Sequence, residues 1–320
     1  MIKVGIIGGA GYTAGELIRL LIHHAKVELV FVQSKSHAKA LISSVHKDLF
    51  GESSLSFSES PIEVVDLVFL CKGHGESLQV LKQYPWILKK KVIDLSQDFR
   101  SSGDHQFMYG LPESNTEVIR GSQRIANPGC FATAIQLALL PAIDARITGD
   151  AIHISGITGS TGAGQSLSAT SHFSWRSNNA TVYKALQHQH IEEVRMNFES
   201  VSGKSSPDIS FIPYRGAFTR GIITTSYFDS TMTEDRLLDL YSSYYEDASF
   251  THVVNTNPDL KMVVNTNKCV VHPQVIEGKA IIIAVIDNLL KGAVGQAIQN
   301  MNIMCDFDEH LGLELKASAF

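Results

Sequence analysis

The chain has 320 residues, 44% of them hydrophobic and 18% charged, which gives room for two domains and fits a soluble globular protein. Its net charge of −5 argues against a general nucleic-acid binder. The four cysteines, Cys71, Cys130, Cys269 and Cys305, are widely spaced without a C-x-x-C pair, which speaks against zinc or a disulfide framework and for a reducing cytoplasm.

In chain order, "KVGIIG" (3–8) reads as a buried strand and "AGELIRLLIHH" (14–24) as a helix. Glycines and the charges of Glu16 and Arg19 interrupt this apolar start, so a strand and helix are expected there in preference to a signal peptide. No stretch reaches the roughly 18 apolar residues of a membrane span. Further strands are expected at 27–32, 64–71 and 91–96, with helical material between them. That alternation predicts a parallel, doubly wound sheet. The second half reads differently, with strands expected at 151–158, 208–214, 221–228, 262–266 and 280–287, as in a mixed or antiparallel sheet. The expected fold is therefore α/β: a Rossmann-type dinucleotide-binding domain over 1–129, then an α+β catalytic domain with a mixed/antiparallel sheet over 130–288. A final helix within about 289–320 is expected to return to the first domain.

"GGAGYTAGE" (8–16) follows the first strand and opens the first helix. Gly9, Gly11 and Ala14 match G-x-G-x-x-[GA], and Gly8, Gly11 and Ala14 match a looser form. Missing side chains let backbone N–H groups approach a pyrophosphate over the helix start, so Gly8, Gly9, Gly11, Tyr12 and Thr13 are candidate cofactor contacts. Enzymes that use NAD place an acid after the second strand to hold the ribose. Here "FVQSKSHAK" has none, and Ser34, Lys35 and Ser36 are suited to the 2′-phosphate of NADP(H).

In "NPGCFATAIQLALLPAI" (127–143), Pro128 and Gly129 precede Cys130, and the segment beyond it is apolar all round. Cys130 falls in the first turn of a buried helix, where the positive dipole end favours a thiolate. The N–H groups there, with the Asn127 side chain, are candidates to hold an oxyanion. The other three cysteines read as packing residues. A cysteine nucleophile calls for an acid–base partner. His188 and His190 stand ahead of an amphipathic helix whose buried stripe is Ile191, Val194, Phe198 and Val201. Glu193, three residues after His190, is placed to orient that imidazole or to contact substrate. No third ligand accompanies the pair, so no metal is expected. The loop "SGITGSTGAGQS" (155–166), with Ser160 and Gly162, is either a flexible connection or a nest for an anionic substrate group. Arg100 and Arg220 are candidates for a carboxylate or phosphate, and a structural ion pair is an equal alternative for each.

These pieces together resemble the glyceraldehyde-3-phosphate and aspartate-semialdehyde dehydrogenase superfamily. Within it, the chain resembles the N-acetyl-γ-glutamyl-phosphate reductases of arginine biosynthesis. The carrying stretches are "GAGYTAGEL" (9–17), "DLSQDFR" (94–100), "YGLPE" (109–113), "NPGCFAT" (127–133), "HQH" (188–190) and "IDNLLKGAVGQAIQNMN" (286–302). The resemblance implies Cys130 as nucleophile, a histidine of the pair as acid–base and Asn288 near the nicotinamide. It implies an acyl-phosphate substrate, inorganic phosphate as product, NADP(H) as cofactor and a homodimer or homotetramer. Gln189, Phe131, Ala132 and the stretches 71–77 and 213–221 depart from the family pattern. The alternatives are an aspartate-semialdehyde dehydrogenase, a reductase for another N-acyl glutamyl or aminoadipyl phosphate such as the N-succinyl form, and a non-catalytic NADP-sensing protein.

Overall fold

The computed structural model describes residues 1–101 and 106–319, and they fall into two compact units. One comprises Met1–Pro128 and Ala293–Glu314, the other Gly129–Gly292 and the residues from Leu315.

The first unit is built on six strands: β1 (Ile2–Ile7), β2 (Val27–Gln33), β3 (Leu67–Leu70), β4 (Lys91–Asp94), β5 (Met108–Tyr109) and β6 (Arg124–Ala126). They lie in the order β2-β1-β3-β4-β6-β5, and every neighbouring pair is parallel. All four residues of β3 are buried, as a strand covered on both faces requires. The chain leaves β1 toward β2, then crosses back to β3, so the strand order reverses between β1 and β3. In such sheets ligands bind outside the carboxyl ends of the strands at that reversal. The helix Gly295–Met304, buried along its whole length, also belongs to this unit.

The second unit carries β7 (Ala151–Thr158), β8 (Thr181–Val182), β9 (Asp208–Arg215), β10 (Ile222–Asp229), β11 (Thr251–Val253), β12 (Cys269–Ile276) and β13 (Lys279–Ile286). Their order is β11-β12-β13-β10-β7-β9-β8. The pairs β7–β9 and β11–β12 are parallel and the rest antiparallel, so the sheet is mixed. Burial alternates along β7 and β10, which marks a sheet with one packed face. The packing partner is the helix Cys130–Asp144, in which every residue from Phe131 to Ile143 is buried.

Pro141 lies inside that helix and cannot donate to Leu137, four residues back. Two tyrosines supply donors there instead. The Tyr245 hydroxyl donates to Leu137 O at 2.6 Å and that of Tyr241 to Ala138 O at 2.8 Å. A helix apolar all round thus retains partners for the carbonyls its proline disturbs.

One expected strand is absent: 262–266 forms a 3-10 turn at Leu260–Met262 and the turns after it. Asp259 caps the 3-10 turn by accepting Lys261 N–H at 2.8 Å. Conversely, β5, β6, β8, β11 and β12 lie outside the expected strands, and β12 carries Pro273 within its apolar run. The structure accommodates Pro273 because β11 pairs only with Cys269–Val271 and has ended before the proline is reached.

Candidate functional site

The glycine loop closes β1 onto the helix Tyr12–Leu21. The N–H groups of Gly8 and Gly9 donate to Gln33 O at 3.1 and 2.8 Å, which ties the loop to the end of β2. Gly8 has φ +91°, and a Cβ there would lie 2.5 Å from Cys71 O, so only glycine fits. His46, missed in the sequence, secures the loop by donating from Nε2 to Gly9 O at 2.7 Å. Beyond Gly11 there is open space for at least 4 Å, and the helix it opens has no acid in its first turn. Such a helix start accepts an anion.

A cleft of about 460 Å³ opens there, lined by Gly8, Gly11, Ser34, Lys35, Ser36, Cys71 and Lys72 among others. It lies at the carboxyl ends of β1, β2 and β3, on the reversal of strand order. Ser34 Oγ and Ser36 Oγ are 3.3 Å apart, and Ser36 Oγ is 2.9 Å from His37 Nδ1. These hydroxyls, the imidazole and the exposed Lys35 form a polar group with no carboxylate on the 34–37 segment. The donor set and the open cradle fit a phosphorylated dinucleotide.

Near Cys71 lies a buried carboxylate. Asp94 accepts Ser77 Oγ–H at 2.5 Å and Ser96 Oγ–H at 2.7 Å, and burial pushes its carboxyl up despite those bonds. Burial, with the Asp94 charge nearby, pushes the Cys71 thiol well above its ordinary range. A thiol so placed is inert packing. Arg100 is also buried, donating from Nε to Asn127 O and from Nη2 to Leu95 O, both at 2.8 Å. The Asn127 amide donates to Ala293 O and accepts from Asn300 Nδ2, each at 3.0 Å. Both residues therefore hold backbone within the first unit.

In the second unit, Cys130 is half-buried at the start of its helix, and no described side chain caps that start. Its neighbour Gly129 donates N–H to Glu193 Oε2 at 3.0 Å. A Cβ on Gly129 would lie 2.4 Å from His190 Nε2 and 2.6 Å from Glu193 Oε1. His190 and Glu193 open the helix His190–Ser202, both are buried, and His190 Nε2 stands 3.9 Å from Glu193 Oε1. From the other side Gly292 packs on the cysteine, where an added Cβ would be 2.9 Å from Cys130 Cβ.

His188 is built differently. Its ring meets Phe131, Tyr183, Phe211 and His190 edge-on, with centroids 4.6–5.7 Å away. Its Nδ1 accepts the His190 backbone N–H at 3.2 Å. Burial first, then the Lys184 charge, lowers its pKa to about 4. Tyr183, another residue missed in the sequence, has its phenol pushed up chiefly by burial, against the opposing charge of Arg215.

The remaining candidates form a separate knot. Asn288 is buried, accepting Gly221 N–H at 2.7 Å and donating to Thr161 Oγ1 at 3.0 Å. Ser160 N–H donates to Phe218 O at 2.8 Å, and Gly162 N–H closes a turn on Gly159 O at 3.3 Å. Arg220 donates from Nε to Asp287 Oδ2 at 3.0 Å. Asp287 also accepts the Asn265 N–H at 2.7 Å and the Leu289 N–H at 2.8 Å. The structural-pair alternative for Arg220 thus has a named partner.

Family models match both units. The one described as semialdehyde dehydrogenase, NAD binding domain, covers residues 3–122, and the semialdehyde dehydrogenase dimerisation domain covers 130–288. Over the full length of both chains, this chain is 52% identical to the N-acetyl-gamma-glutamyl-phosphate reductase of Azobacteroides pseudotrichonymphae and 50% identical to that of Parabacteroides distasonis. Among solved structures, aspartate semialdehyde dehydrogenase II of Vibrio cholerae, complexed with ASA, aligns at TM-score 0.73 and 15% identity, covering 96% of this chain and 98% of that one. Aspartate semialdehyde dehydrogenase of Candida albicans with NADP aligns at 0.71 and 13%, covering 95% and 98%. At that identity the structures speak for the fold alone. Among the described residues no helix is long and apolar enough to cross a membrane.

Proposed function

The chain belongs to the N-acetyl-gamma-glutamyl-phosphate reductase family, and on that premise we propose that Cys130 is its nucleophile and His190 its acid–base group. The reaction is the NADPH-dependent reductive dephosphorylation of N-acetyl-L-glutamyl 5-phosphate to the 5-semialdehyde. The observation that carries the reading is the convergence on Gly129. It brings His190 and Glu193 against the residue that immediately precedes the cysteine.

The Cys130 thiolate attacks the acyl carbon, forming a carbon–sulfur bond as the carbon–oxygen bond to phosphate breaks. His190 takes the thiol proton and returns it to the departing phosphate. The N–H groups of the first turn hold the oxyanion that the carbonyl oxygen becomes, since they lie ahead of the intrahelical ladder that starts with Thr133 N–H to Gly129 O. Bound NADPH supplies the hydride that takes the thioester to the aldehyde level. Collapse of the resulting thiohemiacetal anion frees the semialdehyde and restores the thiolate. One proton is consumed in total.

His190 is favoured over His188 because His188 is caged by aromatic rings, with Nδ1 occupied by backbone. The first-turn amides take the oxyanion role in preference to Asn127, whose amide is engaged by Ala293 and Asn300. Glu193 positions His190. Gly11, Tyr12 and Thr13 would hold the pyrophosphate, Gly8 and Gly9 shape the loop through their bonds to Gln33 O, and Ser34, Lys35 and Ser36 would hold the 2′-phosphate. Asn288, Ser160 and Gly162 shape the loop beside the site, and Arg100 and Arg220 hold backbone and Asp287. The dimerisation-domain match supports a homodimer or homotetramer, and the family's biosynthetic role a cytoplasmic location. Cys130→Ser is expected to abolish turnover while NADPH binding, followed by fluorescence, survives. Undiminished turnover in that variant would contradict the reading.

A further inference from the structure

Arg176 ends the short helix Phe173–Arg176, and Arg215 ends β9. Pairing of β8 with β9 sets Thr181 opposite Arg215 and Val182 opposite Tyr214, and the Tyr183 N–H then donates to Pro213 O at 3.1 Å, which leaves Tyr183 diagonal to Arg215 on the same face. The Arg215 guanidinium lies over the Tyr183 ring, 4.7 Å from its centroid. The Tyr183 ring in turn meets His188 edge-on at 5.7 Å between centroids, and His188 meets His190 at 4.6 Å. Burial first, and then the like charge of Arg215, lowers the Arg176 pKa.

The donors of these two side chains are unevenly used. Arg176 Nη2 donates to Thr170 O at 2.8 Å. Its Nε and Nη1, and Nε of Arg215, are shielded from solvent without a hydrogen-bond partner among the described residues. Buried guanidinium donors left unmatched beside a like charge are costly. An oxyanion between them would relieve both penalties at once, and guanidinium forks match carboxylates in geometry.

We propose that Arg176 and Arg215 form a carboxylate subsite for the substrate, joined to the His188–His190 pair through the ring of Tyr183. The inference rests on the reductase reading. The phosphate is bonded to the carbon that Cys130 attacks, so it belongs at the helix start. A carboxylate at the far end of the glutamyl chain belongs beyond Tyr183. It comes from one of two sources, the α-carboxylate of the glutamyl group or a carboxylate on the acyl group of its nitrogen.

The test runs the reaction backward, with NADP, inorganic phosphate and N-acetylglutamate semialdehyde or its N-succinyl counterpart. Arg176→Gln and Arg215→Gln are each expected to raise the semialdehyde KM at least tenfold, with kcat within about threefold and the phosphate KM unchanged. Replacing the α-carboxylate of the semialdehyde by a carboxamide needs no protein variant. A tenfold loss in the wild type that vanishes in the variants assigns the α-carboxylate. A wild-type preference for N-succinyl over N-acetyl that vanishes in the variants assigns the acyl carboxylate. Unshifted semialdehyde KM values in folded variants, or a raised phosphate KM in their place, would overturn the subsite alone. Wild-type inactivity toward both semialdehydes would overturn the reductase reading instead.

Discussion

Gly129 and Glu193 are joined by a 3.0 Å hydrogen bond from the glycine N–H to Oε2, so the helix that carries Cys130 and the helix that carries His190 start from a shared contact. Neither partner is exchangeable. Glu193→Ala leaves a buried N–H unmatched, at a cost of about 1–3 kcal/mol. Glu193→Gln keeps an acceptor but removes the charge facing His190. Thermal melts are expected to show a clear loss for Ala and a small one for Gln, while kcat falls for both.

Gly129→Ala tests the same contact from the other side. The added methyl would meet His190 Nε2 at 2.4 Å and Glu193 Oε1 at 2.6 Å, so the two side chains must retreat. Overpacking of this kind costs about 1–3 kcal/mol. A loss of kcat of about 100-fold or more is expected, with NADPH affinity preserved. Full activity would show that the His190 placement is dispensable.

His188 gives stability a pH dependence of known sign. Its pKa is about 4 in the folded protein, against about 6.5 for an unperturbed histidine. A depressed folded pKa contributes stability that is present above pH 6.5 and is lost as pH falls toward 4. Melting temperatures between pH 7 and 4.5 should therefore fall more steeply in the wild type than in His188→Gln. Equal slopes would contradict the buried, neutral imidazole.

Cofactor choice rests on the segment after β2. Lys35→Glu supplies the acid that the chain lacks and removes a cation. It is expected to raise the NADPH KM at least tenfold while changing the NADH KM by less than threefold. Parallel shifts for both cofactors would remove Lys35 from the 2′-phosphate site.

The tyrosines behind the cysteine helix make a prediction about stability alone. Tyr245→Phe deletes the donor to Leu137 O and should cost about 1 kcal/mol or somewhat more. Adding Pro141→Ala returns a backbone donor four residues on from Leu137 and should recover part of that loss. A double variant as unstable as the single one would refute the compensation.

Much of the fold was legible because its signals are local. Strands β1 to β4 of the parallel sheet are short apolar runs next to turns, and Gly8, Gly9 and Gly11 sit where the first such run ends, whereas β5 and β6 are too short to carry such a signal. Cys130 could be found because Pro128, Gly129 and an apolar helix surround it. Other features depend on contacts between distant segments. Tyr183 and Arg215 meet only through a two-residue strand pairing, and nothing near either in sequence marks it. His46 reaches Gly9 from 37 residues away. The segment 262–266 misled because an apolar, β-branched run carries no mark of the turn that Asp259 initiates. Asn127 and Arg220 illustrate a further limit, since a motif identifies a polar side chain but not the partner that occupies it.

The central claim is that the acyl group passes through the Cys130 sulfur. The direct measurement is mass spectrometry of the protein mixed with N-acetyl-L-glutamyl 5-phosphate in the absence of NADPH. The account predicts one N-acetylglutamyl adduct, mapped by peptide digestion to Cys130, which disappears when NADPH is added. An adduct on Cys71, Cys269 or Cys305, or turnover by a protein that never acylates at Cys130, would contradict it.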